Sequence, residues 1–165
     1  MDQQTLAFAR RVFQAAREGD APGLAAVLEH GVPPNLRNEK GDSLLMLAAY
    51  HGHAAAVAAL LEGGADPDLA NDRGQTPLAA AAFRGDADIA RLLLDHGAAV
   101  DGRGEGGRTA LMVAAMFNRT GLVDLLLARG ADPALQDGAG HDAGAAATQM
   151  GAADTAARLA AAATR

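Results

Sequence analysis

Two short constellations in this chain have spacings that could do chemistry. Gly102-Arg103-Gly104-Glu105-Gly106-Gly107 matches in form the glycine pattern that cradles a dinucleotide pyrophosphate. That pattern works only after a strand and before a helix inside a βαβ unit, so its surroundings decide. His51 and His53 flank Gly52 at a spacing that can hold a metal, but the chain has no cysteine and offers no obvious third ligand beside them. No Gly-x-Ser-x-Gly elbow, Walker lysine or His-Glu-x-x-His helix occurs. Asp66, Asp101 and Asp132 lie in turn segments, where aspartate commonly bonds its own backbone, and read as turn formers and not as an acid/base pair. The expectation is a chain with no catalytic residues, no cofactor and no metal.

The glycines show what must position these residues. Gly31, Gly64, Gly97 and Gly130 stand 33 apart, as do Gly41, Gly74, Gly107 and Gly140. Gly19, Gly52, Gly85 and Gly151 keep the same interval, with Asn118 in the missing place; asparagine is the best substitute for glycine in a left-handed turn. Gly107 thus belongs to a periodic turn, which explains the glycine cluster without a nucleotide. Leu45, Leu78 and Leu111 form one apolar row and Leu61, Leu94 and Leu127 another, each expected to line a shared core.

Between the glycines the pattern is helical. Ser43, Thr76, Thr109 and Asp142 each offer an oxygen to the N–H groups of a helix start. Pro77 follows Thr76 at the first helical position, where its missing N–H costs nothing. A short inner helix of about two turns should follow each cap. Ala56-Val57, Ile89-Ala90 and Leu122-Val123 then open the stripe of an outer helix that ends at Gly64, Gly97 or Gly130. The turns Gly64-Ala65-Asp66-Pro67 and Gly130-Ala131-Asp132-Pro133 lead into a projecting, hairpin-like loop.

Gly74-Gln75-Thr76-Pro77-Leu78, Ala81-Ala82-Phe83-Arg84-Gly85 and Leu93-Leu94-Asp95-His96-Gly97-Ala98 resemble the ankyrin repeat, whose helix–turn–helix unit has this period. The resemblance implies an all-α ankyrin-repeat solenoid filling a single domain. Its parts are an N-terminal cap over 1–37, full repeats over 38–70, 71–103 and 104–136, and a C-terminal cap over 137–165. The family pattern has histidine three residues after the capping threonine, where this chain has Met46, Ala79 and Met112. A network of polar bonds between repeats is therefore expected to be missing, with packing to compensate. Where the family often has histidine after the turn glycine, His53 stands, and the resemblance makes it structural. Gly144 replaces the leucine of its row and the last helix is mostly alanine, so the C-terminal cap should bury little apolar area.

The resemblance also implies a binding surface on the concave side, built from loop tips and the exposed side of the inner helices. By register this selects Arg37, Lys40, Asp42, Tyr50 and His51 from the first full repeat, and Arg73, Gln75, Phe83 and Arg84 from the second. Arg103, Arg108, Met116 and Phe117 come from the third. Tyr50, Phe83 and Met116 are 33 apart and should form a ladder of anchors, unless they fold down to cover neighbouring repeats. The cations Arg37, Lys40, Arg73, Arg84, Arg103 and Arg108 outnumber Glu39, Asp42, Asp72 and Glu105 on this face, which favours a partner with an acidic patch.

Composition bounds the rest. The net charge of -6 opposes nucleic-acid binding, and no apolar run approaches the ~20 residues that cross a bilayer. Arg10-Arg11-Val12-Phe13 resembles the core of a twin-arginine export signal, but Arg17, Glu18 and Asp20 follow where an apolar stretch is required. The chain is expected to be cytoplasmic, monomeric and, from its Ala, Gly and Arg bias, bacterial. The expected function is a small stand-alone scaffold or adaptor that docks another protein, as an inhibitor or accessory factor. The alternative is self-association through the groove or the C-terminal cap.

Overall fold

The computed structural model of the protein describes residues 2–164. Within them ten α-helices stack in antiparallel pairs. The inner row is α1 (Gln3–Glu18), α3 (Leu44–Tyr50), α5 (Pro77–Arg84), α7 (Ala110–Met116) and α9 (Ala143–Gln149). The outer row is α2 (Ala21–Glu29), α4 (Ala54–Glu62), α6 (Ala87–Asp95), α8 (Thr120–Ala128) and α10 (Ala153–Ala163). Each helix packs on its pair partner and on the next helix of its own row, which makes a solenoid.

The local causes are those the spacing implies. Ser43, Thr76, Thr109 and Asp142 each accept the N–H three residues on, which fixes the start of α3, α5, α7 and α9. Helix ends need a residue that tolerates positive φ, and Gly52 and Gly85 supply it at 80° and 76°. Asn118 takes that place at 60°. It does more than replace a glycine: its Oδ1 accepts the Thr155 N–H at 3.1 Å and its Nδ2 donates to Asp154 at 3.0 Å. The cap position of α10 is Ala152, which has no side-chain oxygen to offer, so Asn118 caps that helix from the preceding repeat.

The core is narrow and built of small residues. Leu45, Leu78 and Leu111 are buried as expected. In the second row only Leu61 is buried; Leu94 and Leu127 are half-buried, and the fully enclosed row is Leu60, Leu93 and Leu126, one residue earlier. A step of one residue turns a helix by ~100°, so the expected row flanks the stripe instead of centring it. Paired alanines, Ala48-Ala49, Ala81-Ala82 and Ala114-Ala115, are fully buried where inner helices meet. Their size lets helix axes approach at the short end of the usual range.

Polar bonds between repeats are present, contrary to the expectation that they are missing. They avoid the family's histidine position and run instead from side chains to backbone. Asn35, Asp68 and Asp101, themselves 33 apart, accept the N–H of Asp66, Ala99 and Asp132 in the next turn, at 2.8 to 3.0 Å. Asp66 and Asp132 also bond their own turns, through Asp68 and Ala134. Asn38, Asn71 and Asp137 each clamp two N–H groups of a loop tip. Gly104 stands at that place in the third loop, and a Cβ there would lie 2.9 Å from the Gly74 carbonyl, which leaves no room for the clamp.

In α9, Gly144 sits in the leucine row and the buried side chains are alanines, Ala143, Ala146 and Ala147; Leu159 is the one large apolar side chain that α10 buries. Because solenoid stability is a sum of repeat and neighbour terms, we expect amide exchange to be fastest beyond residue 138, and uniform protection along the chain would contradict this. We also expect Asn118→Gly, which keeps the positive φ but removes the cap, to lower the urea-unfolding stability by about 1 kcal/mol. An unchanged midpoint would show that the cap contributes nothing.

Candidate protein-binding groove

The groove follows from the register of the inner helices. With Leu45, Leu78 and Leu111 turned inward, residues five positions later face the concave side, and these are Tyr50, Phe83 and Met116. Tyr50 keeps 50% of its surface, Phe83 42% and Phe117 37%, so the aromatics lean on the repeats without being covered by them. Phe83 and Phe117 meet edge-to-face with ring centroids 4.7 Å apart, while Met116 is half-buried beside them. The ladder is thus a single ring at Tyr50 and a paired ring one repeat on.

Two adjoining hollows flank Tyr50. One lies between Tyr50, Phe83, Phe117 and Arg108, the other between Tyr50, His51, Lys40 and Asp42; Met46, Arg73 and Gln75 belong to both. Met46 was missed as a site residue because at the sequence level it only marks a departure from the family. The row Met46, Ala79, Met112 holds the signal that could have found it: alanine between two methionines leaves an opening, and Ala79 lines the hollow between Tyr50 and Phe117.

Several expected contact residues are engaged in the fold. Arg37 donates to the carbonyls of Gly41 and Ala70, and Arg103, two repeats on, to those of Gly107 and Gln136. Arg84 donates to the Tyr50 carbonyl at 3.2 Å and lies over Gly52, where a Cβ would come within 2.5 Å of its guanidinium. It therefore braces α3. His53 does the same one repeat earlier through the Arg17 carbonyl at 2.7 Å, and Arg119 one repeat later through that of Phe83 at 3.0 Å. Asp42 and Gln75 both accept from the Asn71 amide, and Arg73 lies 3.9 Å from Glu105. Of the six cations assigned to this face, Lys40 and Arg108 are the two with no ion pair or backbone acceptor among the described residues.

No buried side-chain nitrogen or oxygen among the described residues lacks a hydrogen-bond partner. The polar groups of the interior are thus spent on the fold. The glycine cluster 102–107 forms a loop tip closed by Gly104 N–H on the Arg108 carbonyl at 2.8 Å, and no strand precedes it. No helix among the described residues is long and apolar enough to cross a membrane.

A family model for ankyrin repeats, spanning three copies, matches residues 12–101 and 45–137. The chain belongs to the ankyrin-repeat family. Ankyrin repeats are protein–protein interaction modules, and an exposed aromatic groove on the inner helices is a surface suited to that use. A protein of Pseudomonas aeruginosa named as an ankyrin repeat protein is 52% identical over 50 residues, which is 30% of this chain and 29% of that protein. The ankyrin chain therefore matches less than a third of that relative's length.

His51 ends α3 and stands edge-on to Tyr50, with ring centroids 5.3 Å apart. Partial burial, then the positive charge of His53, Arg17 and Arg84, hold its pKa below the ordinary imidazole value. The unfolded chain then takes up the proton first. The contribution of neutral His51 is intact above about pH 6.5 and is lost as pH falls through that value. We expect the urea midpoint to drop between about pH 7.5 and about pH 5.5, and the drop to shrink in His51→Asn. An equal drop in both proteins would assign the dependence to other groups.

Proposed function

We propose that this ankyrin-repeat protein is a non-enzymatic adaptor that docks a partner protein in its concave groove, with Tyr50 and the Phe83–Phe117 pair as anchors. The observation that carries this reading is the exposure of the three rings around one hollow lined by Met46 and Ala79. Large rings rimmed by polar groups are the usual energetic centre of an interface, and each contributes about 2 kcal/mol or more when a partner covers it. The rim here is Lys40, Asp42, Arg73, Gln75 and Arg108. Arg37, Arg84 and Arg103 are braces, so their donors are already engaged by backbone carbonyls and shape and apolar contact carry recognition. The protein works as a monomer in the cytoplasm in this reading, as an inhibitor or accessory factor of what it binds.

The test is affinity capture from native lysate with the parent and two variants. Tyr50→Ala/Phe83→Ala removes anchors, and Ala79→Met fills the hollow while keeping a good helix former. Arg84 is left intact because its loss would loosen α3. A specifically retained protein should bind each variant at least about 30-fold more weakly, as the loss of ~2 kcal/mol implies. Retention unchanged in both variants, with folding confirmed by circular dichroism, would remove the groove as the docking site. A mass by light scattering that doubles on concentration, and reverts in the ring variant, would show that the groove takes a second copy instead.

A further inference from the structure

The first helix departs from the repeat pattern in a way the groove reading does not use. By the 33-residue register, residues 3–10 stand at the places of residues 36–43, where the first full repeat has its loop. In α1 these places are helical, so two extra turns project where the other repeats make a tip. Asp2 fixes this start by accepting the Thr5 N–H at 2.7 Å. Val12, Phe13 and Ala16 anchor the helix in the core.

The extra turns carry Arg10 and Leu6, and together with Arg11, Phe13 and Arg17 of α1 and Glu39 of the first loop they line one hollow. Leu6 keeps 40% of its surface. Three guanidiniums and one carboxylate thus belong to this lining, in a protein whose net charge is -6. None of the ion pairs among the described residues includes Arg10, Arg11 or Arg17. Arg11 lies over the Phe8 ring at 5.8 Å and Arg17 reaches only the Gln14 side chain, at 3.4 Å. Arginines that brace the fold elsewhere do so through backbone carbonyls, as Arg37, Arg84 and Arg103 do; Arg10 and Arg11 donate to none among the described residues.

We propose that the α1 hollow is a second docking surface, and that it takes an acidic protein segment bearing an apolar side chain. Glutamate or aspartate side chains meet the guanidiniums of Arg10 and Arg11, where a planar fork matches a carboxylate, and the apolar side chain lies on Leu6 and Phe13. Arg17, Asn38 and Glu39 also border the hollow beside Tyr50, so a partner in the groove can continue onto α1 without a break.

The probe is a short fluorescein-labelled peptide of glutamates around one leucine, titrated with the full chain by fluorescence anisotropy at low salt. Its lysine counterpart is the control. We expect saturable binding of the acidic peptide alone, weakened by added salt and weakened on the order of tenfold in Arg10→Glu/Arg11→Glu. Both arginines are exposed, so the variant should fold, and amide shifts confined to residues 6–17 and 38–39 of the parent would place the peptide. Tyr50→Ala/Phe83→Ala should bind it as the parent does, which separates this surface from the groove. Equal binding of both peptides, no binding, or loss in the ring variant instead of the arginine variant would overturn the proposal. So would a homodimer, or sedimentation with anionic vesicles, that disappears in the arginine variant, since the occupant would then be a second copy or a lipid surface.

Discussion

The inner helices α1, α3, α5 and α7 end in carbonyls that have no partner within the helix, and the stack depends on donors sent to them from the next repeat. His53 reaches the Arg17 carbonyl, Arg84 that of Tyr50, Arg119 that of Phe83, and the Thr155 hydroxyl that of Ala115. The guanidiniums of Arg84 and Arg119 also suit the negative end of the helix dipole. The donors do not keep one sequence position. At the place of His53 and Arg119 the second repeat has Asp86, which cannot donate when ionised and instead caps α6 through the Ile89 N–H; Arg84 takes over from two residues earlier. The acceptor is a main-chain oxygen, present whatever residue bears it, so the donor can change identity and position without a matching change elsewhere.

That constraint accounts for the shape of the groove. Braces at the helix ends hold α3, α5 and α7 in step, and buried alanine pairs bring them close. What remains for the concave side is set by the few positions that neither brace nor pack. Tyr50, Phe83 and Phe117 are such positions, and so are Lys40 and Arg108. The same division sets Arg37, Arg84, Arg103 and Arg119, which are tied to carbonyls, apart from Arg10 and Arg11 on α1, which are not.

Much of this was legible in the sequence because it is periodic. The caps Ser43, Thr76, Thr109 and Asp142 and the left-handed glycines follow from residue type and interval alone, since each satisfies a need of the backbone that recurs every 33 residues. The enclosed row Leu60, Leu93, Leu126 was displaced by one because α4 and α8 are apolar on several sides, and a run such as Leu125-Leu126-Leu127 does not announce which leucine is central. Arg84 reads as a surface residue because a long cation next to an aromatic on a helix looks the same whether it faces a partner or turns back to a carbonyl. The polar staples of Asn35, Asp68 and Asp101 were hidden for a related reason: their partners are backbone N–H groups, which carry no signature in the residue letters.

The side-chain bonds that join repeats span between 29 and 40 residues, so each reaches one neighbour and no farther. No bond clamps the first repeat to the last among the described residues. Mechanically the stack is a leaf spring: a small rotation at each interface accumulates along its length while each brace is displaced only slightly. The curvature of the concave side is therefore a soft coordinate, changed through a shared, distributed bend instead of a hinge.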